Sequence, residues 1–424
     1  MPSIKLAVGK LGFLRDCELD IPVPGYTIFY GSNISGKTLL GLTMSELLSS
    51  SSLLAAERLA RSLGYKDAIE MALSSLGEIG YDVLDIQHIY SESPENEFYD
   101  IVDRTLPTRL GLNGREKLRS YIVLQALSSA LLTSYPECSF DMDLSISYDG
   151  GEVVRLKGIL PLPHPREQDE WLRSVNRVEE IQVSSNQASS NKFISVAVLD
   201  PYNFGYRAMR IMKGEPLIAT DVPFSTKILY KIAERSQNRV FGDIEAIKSY
   251  YEPLNRALDL ISKTISISSG ADRGVKVSFK EWGLLIRSGD FEKFIELNYF
   301  SKGLRSLFSS VMVQFLILAA SKMGNLIPVV FLDEPEVSLD TYVLSGLPSI
   351  LKDLANSGSV VISTHREHLI SAIEDCASSG ISSKLYEFLW DEKLDNVVRE
   401  APFDEETGRF DIERILELLP GAPE

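Results

Sequence analysis

Residues 31–38 read Gly-Ser-Asn-Ile-Ser-Gly-Lys-Thr, an instance of the G-x-x-x-x-G-K-[ST] pattern, and no other stretch of the chain constrains its fold so strongly. The pattern has a physical meaning only between a strand and a helix. Tyr26-Thr27-Ile28-Phe29-Tyr30, just before it, is β-branched and aromatic, as strands prefer. Leu39, Leu40, Leu42, Met44, Leu47 and Leu48, just after it, recur near helical spacing. An ordinary glycine-rich turn is the alternative reading of the octet, and the flanking elements argue against it. In the strand-loop-helix context Gly31, Ser32, Asn33, Ile34, Ser35 and Gly36 curl their backbone N–H groups around a phosphate, and the helix N-terminus adds positive potential. Lys37 then reaches the β- and γ-phosphates and Thr38 ligates Mg²⁺, so the octet predicts binding of ATP with Mg²⁺.

Three more motifs lie in the last third of the chain. Residues 327–334, Ile-Pro-Val-Val-Phe-Leu-Asp-Glu, form an apolar run that delivers two adjacent carboxylates at its C-terminal end, where open parallel sheets hold their ligands. Asp333 is expected to join Thr38 in the metal shell, and Glu334 to orient or deprotonate an attacking water. A second apolar run, Val360-Val361-Ile362-Ser363-Thr364, ends at His365, a side chain able to donate to a γ-phosphate. His365 and His368 also stand at an i, i+3 spacing open to a metal, but no third ligand is evident nearby. Ser301-Lys302-Gly303-Leu304-Arg305-Ser306 opens a long apolar helix, and its first N–H groups suit an anion. Ser301 precedes Asp333 by 32 residues, and His365 follows it by 32.

The remaining composition sets bounds. With 424 residues, 44% apolar and 24% charged, the chain has ample material for a core and suits an α/β architecture of two or three domains or one domain with a large insertion. A net charge of −16 argues against a broad phosphate-coating surface and leaves room only for a local basic patch. Cys17, Cys138 and Cys376 are scattered, which fits neither a disulfide framework nor a zinc site and points to a reducing, cytoplasmic setting. The most apolar run, residues 311–320, is too short to span a bilayer and contains Gln314, so no membrane insertion is expected, and no secretion signal is visible at residues 1–16.

Together these motifs resemble the ABC-type ATPase superfamily, and within it the soluble SMC, RecF and OLD-like branch, over about residues 1–50 and 275–370. Residues 31–38 are similar to that branch's phosphate-binding loop, Phe300 to Ser306 to its signature sequence, Phe331 to Asp340 to its Walker B strand, catalytic glutamate and D-loop, and Ser363-Thr364-His365 to its switch histidine. The resemblance implies a P-loop NTPase head of α/β class with a β-subdomain and a mainly helical insertion. It assigns residues 1–60 and 270–424 to the ATPase core and 61–269 to the insertion, within which the alternation on both sides of Asp149-Gly150-Gly151 predicts a β-hairpin near 140–160. It implies catalysis by Glu334, Lys37 and His365, and a head-to-tail homodimer around two ATP molecules in which Ser301 and Gly303 reach the partner's nucleotide and Asp340 couples the sites. Leu304 stands where that branch often has a polar residue, and Gln87, Gln182 and Gln187 are all candidates for the glutamine loop.

The separation of 263 residues from Thr38 to Ser301 exceeds what transporter ATPase subunits carry and falls short of a long coiled coil. Within them residues 114–135 and 226–265 read as helical, the latter as a helical pair projecting from the body, and residues 410–419 read as a terminal helix. Residues 104–119 hold five basic side chains and one acidic one, a window that either contacts DNA phosphates or marks a solvated face. The expected activity is Mg²⁺-dependent ATP hydrolysis that gates DNA or a separately encoded effector protein, in repair or phage defence. An ATP-dependent scaffold without turnover and a transporter's energising subunit are the alternatives.

Overall fold

The computed structural model describes residues 2–12, 14–32, 35–53, 139–161, 182–184, 192–214, 225–226, 229–230, 233–234, 252–269, 275–280, 283–337, 339–390 and 396–412. In chain order the first elements are β1 (Ser3–Leu11), β2 (Leu14–Pro22), β3 (Gly25–Gly31), α1 (Lys37–Leu53), β4 (Ser139–Tyr148), β5 (Gly151–Pro161), β6 (Gln182–Ser184) and β7 (Phe193–Val198). There follow α2 (Pro201–Met212), α3 (Glu252–Ser269), β8 (Lys276–Lys280), β9 (Gly283–Ser288), β10 (Phe291–Glu296), α4 (Lys302–Gly324), β11 (Ile327–Asp333) and α5 (Thr341–Ser357). The chain continues through β12 (Ser359–Thr364), α6 (Glu367–Ser378), β13 (Ser383–Trp390) and β14 (Asn396–Ala401) to a two-strand ribbon at residues 403–410.

Eleven strands make one sheet in the order β6-β5-β4-β1-β2-β14-β13-β3-β12-β11-β7. From β13 to β7 every neighbouring pair is parallel, and from β13 to β14 and outward through β2, β1, β4 and β5 the pairs are antiparallel except at the β14–β2 junction. Parallel strands need both faces covered, and the sequence supplies the cover. Side chains alternate across the sheet. Val330 and Leu332 of β11, Val360 and Ile362 of β12 and Tyr26 and Ile28 of β3 face helices α2 to α6, while Val329, Phe331, Val361 and Phe29 face α1 and the antiparallel wing. α1 lies close on that second face because residue 41 is glycine: a Cβ there would stand 2.2 Å from the Phe331 ring.

Local chemistry marks the helix ends. Asp200 caps α2 by accepting from the Asn203 N–H, with Pro201 in the first turn, where its missing donor costs nothing. Ser301 caps α4, and Asn325 closes it at φ 53°, a left-handed position that asparagine tolerates. By length and composition residues 302–322 are apolar enough to cross a membrane, longer than the run the sequence reading singled out. The most apolar window of that helix is 67% buried, and α4 packs into the core between α2 and β11.

The structure redraws the expected insertion. The hairpin at 139–161 forms, turning at Asp149 and Gly150, but β4 pairs with β1 and so widens the main sheet. β7, every residue of it buried, is the last parallel strand beside β11, so residues 193–212 are core and not insertion. α3 packs its Leu254, Ala257, Leu258 and Ile261 into the core beside α5 and does not project from the body. Phe410 pairs in the terminal ribbon with Phe403 and does not begin a helix. The readings at 104–119 and 114–135, Gln87 and Gln187, and the helix beyond residue 412 lie outside the described residues. Gln182 sits in β6, the edge strand at the far end of the sheet from β7.

Candidate nucleotide site

Three parallel strands, β3, β12 and β11, end side by side, and their C-terminal ends carry the chemistry. The register pairs Ser363 with Asp333 and Thr364 with Tyr30, so these ends lie on adjacent rungs of one ladder. From Gly31 the chain turns through the loop into α1, with Gly36 at φ 90°, a conformation that side chains resist. Asn33 and Ile34 lie outside the described residues.

Lys37 is the first residue of α1 and is 4% exposed. Its Nζ donates to Gly31 O at 2.8 Å, Ser32 O at 2.6 Å and Ser35 Oγ at 3.3 Å, an arrangement that fixes the ammonium inside the curl of the loop. Burial pushes the ammonium below the usual lysine range, and the charges of Glu334, Asp333 and Glu336 pull it back up.

The Thr38 hydroxyl donates to Asp333 at 2.9 Å and 3.0 Å from its two carboxylate oxygens, and the Ser363 hydroxyl donates to Asp333 Oδ1. Burial pushes the Asp333 carboxyl above its usual range, against these hydrogen bonds. A hydroxyl, a carboxylate and a second hydroxyl form an all-oxygen donor set of the kind a hard divalent cation such as Mg²⁺ prefers, and this set fits that ion. Among the described residues no cluster of three or more His, Cys, Asp or Glu side chains forms a protein-only metal cage, and His365 and His368 do not make one. Mg²⁺ typically keeps water and phosphate ligands, so such a cage is not required.

Glu334 follows at φ 44°, a left-handed backbone angle that is strained for a residue other than glycine. The turn breaks the strand alternation that would send neighbouring side chains to opposite faces. Its N–H donates to Ser363 O at 3.1 Å, and its Oε1 lies 3.6 Å from His365 Nδ1. Glu336 lies beneath, fully buried, with Oε1 accepting from Thr364 Oγ1 at 2.5 Å and from the His365 N–H at 3.4 Å. Burial pushes this carboxyl above its usual range too, against hydrogen bonding from Thr364, from its own backbone N–H and from the His365 N–H, and against the charge of His365.

Ser301, Gly303 and Asp340 form a second group. They line a groove of about 280 Å³ together with Leu304, Leu339 and side chains of α3 and β9, and Lys37, Thr38, Asp333 and Glu334 are not among its walls. Ser301 Oγ accepts from the Leu304 N–H at 3.3 Å and Asp340 Oδ1 from the Val343 N–H at 2.9 Å, each capping a helix. Arg305 steadies the segment before Ser301: its guanidinium donates to Phe300 O and Asn298 O and lies 4.2 Å over the Tyr206 ring.

Sequence reasoning passed over two residues of the first group. Ser363 had a signal, being the last but one residue of an apolar strand beside the acidic one. Glu336 had only its place three residues after Asp333, and nothing in the pattern says that a glutamate there is buried.

A family model described as "AAA domain, putative AbiEii toxin, Type IV TA system" matches residues 159–371, half of the chain. The chain belongs to this AAA domain family. The AAA match takes in Ser301, Asp333, Glu334, Asp340 and His365 and begins after residues 31–38. No curated protein matches the AAA chain. Among solved structures it is similar to the SMC head domain from Thermotoga maritima, 12% identical with a TM-score of 0.40, covering 95% of this chain and 100% of that one. The SMC head bound to the C-winged helix domain of ScpA is 11% identical with a TM-score of 0.39, covering 96% and 98%. The recombination mediator protein RecF with ATP is 12% identical with a TM-score of 0.35, covering 94% and 100%.

Proposed function

We propose that this protein is a Mg²⁺-dependent ATPase whose nucleotide-bound form pairs head to tail with a second copy. The observation that carries the reading is the hydrogen bond from Thr38 to Asp333, which joins the end of the phosphate loop to the end of β11 across 295 residues of sequence. Lys37 binds and orients the β- and γ-phosphates from within the loop. Thr38 and Asp333 hold Mg²⁺, which when bound neutralises phosphate charge and orients the transferring group. Glu334 takes the proton of the attacking water, and His365 stands beside it, with Nδ1 3.6 Å from its carboxylate.

The groove face is the one we assign to the second copy. Ser301 and Gly303 lie there at the N-terminus of a 23-residue helix, and Tyr299, Phe291, Val337 and Tyr342 expose apolar surface on the elements around them. A net charge of −16 favours a protein as the gated partner over a long DNA contact, and a family described as "putative AbiEii toxin, Type IV TA system" is in keeping with that. Purified protein should release phosphate from ATP with Mg²⁺ at about 0.01 to 1 s⁻¹, slower than the usual enzyme median, and should stop when EDTA removes the metal. Phosphate release that persists at full rate in EDTA overturns the metal assignment, and none under any condition overturns the ATPase reading.

A further inference from the structure

We propose that Glu336 is a positioning residue for hydrolysis, holding the His365 ring with its Nδ1 edge toward two carboxylates and its Nε2 edge free for substrate. This rests on the ATPase reading above. Glu336 is 0% exposed, and its hydrogen bonds from Thr364 and His365 both fall on Oε1. Oε1 takes the Thr364 hydroxyl at 2.5 Å and the His365 N–H at 3.4 Å, and it lies 3.7 Å from His365 Nδ1. Oε2 is buried with no hydrogen-bond partner among the described residues. A buried carboxyl satisfied on one side only is a poor structural choice, because an apolar side chain of equal volume fills the same space without desolvating a charge.

What the carboxyl does supply is a fixed acceptor at the end of β12. Thr364 Oγ1 in turn accepts from the Arg366 N–H at 3.0 Å, so the turn carrying His365 is tied to Glu336 from both sides. Pro335 O accepts from Ser306 Oγ at 2.9 Å and Glu336 O from the Leu339 N–H at 3.0 Å, which anchors the glutamate itself to α4 and to the turn before Asp340. Which imidazole nitrogen carries the proton is set by what faces the other one. Glu334 at 3.6 Å and Glu336 at 3.7 Å both face Nδ1. Glu334 is partly exposed and screened by water, so the buried Glu336 exerts the stronger and more constant hold.

The test compares Glu336→Met, which keeps the volume and removes both acceptors, with Glu336→Gln, which keeps one acceptor. Glu336→Met should lower kcat roughly 30- to 100-fold while KM for ATP stays within about threefold, as expected when a reacting group is misplaced and binding is untouched. Glu336→Gln should recover most of that loss. In a His365→Gln background Glu336→Met should add little, since the two residues act as one unit. Thr364→Val, which removes the hydroxyl donor and leaves the carboxyl in place, should lower kcat in the same selective way and serves if Glu336→Met does not fold. Independently of turnover, ¹⁵N spectra of the four histidines at pH ~8.5, above the usual histidine range, should show His365 as the Nδ1–H tautomer in the wild type and shifted toward Nε2–H in Glu336→Met. An Nε2–H wild type, turnover of Glu336→Met within about threefold of wild type, or an equal further loss in the His365→Gln background overturns the proposal. A wild type that hydrolyses no ATP removes the ATPase reading, and the tautomer spectra still decide whether Glu336 holds His365.

Discussion

Glu334→Gln protein should bind ATP with Mg²⁺ about as tightly as wild type yet release phosphate at least roughly 100-fold more slowly, the scale expected when a general base is lost. The substitution keeps the side-chain volume and the backbone turn at φ 44°, and it leaves Lys37, Thr38 and Asp333 untouched. Only the proton acceptor disappears. Because turnover no longer empties the site, the same variant should accumulate the paired form, and light scattering with ATP and Mg²⁺ should read twice the mass found without nucleotide. Adding Ser301→Arg in the lining of the groove should return it to the single-copy mass. Wild-type turnover in Glu334→Gln would remove that residue as the base. A mass indifferent both to ATP and to Ser301→Arg would sink the paired arrangement and leave the hydrolytic site standing.

Lys37→Ala should have the larger effect on affinity. The ammonium is the one lysine charge held within the loop, and charge-assisted contacts of this kind carry about 1.5 to 3 kcal/mol each, so ATP affinity should fall at least roughly 50-fold. The variant also frees Gly31 O and Ser32 O from the donor that now gathers them, so the curl itself loosens. The check is the ATP-dependent rise in melting temperature, which wild type should show and Lys37→Ala should lack at the same ligand concentration. An equal rise in both proteins would place the phosphates somewhere other than the curl of residues 31–38.

The elements around the site were legible wherever sequence and backbone physics pointed the same way. Apolar runs ending in Asp333 and Thr364 read as buried parallel strands because a strand covered on both faces has no polar alternation to lose. The octet at 31–38 read as a loop because glycine at residue 36 permits a backbone angle that other residues resist. β7 was missed for the same reason that the others were found: its six residues, Phe193–Val198, are a short apolar run, and nothing local says which sheet or which neighbour it joins. Likewise the hairpin at 139–161 was visible from its turn residues, but its pairing with β1 depends on contacts across more than a hundred residues. Glu336 lies further from legibility still. Burial of a glutamate is a property of the assembled fold, decided by where α4, β12 and the turn after Glu334 meet.

The position of β3 in the sheet also sets a timetable for biosynthesis. Both strands that flank it, β12 and β13, lie beyond residue 358, so about 330 residues must leave the ribosome after Gly31 before β3 gains its first neighbour, roughly 15 to 65 s at common elongation rates. Until then a strand whose seven residues are all buried in the finished protein has both edges unpaired. The nascent chain therefore carries a window of aggregation risk at β3, which closes only when β12 and β13 arrive.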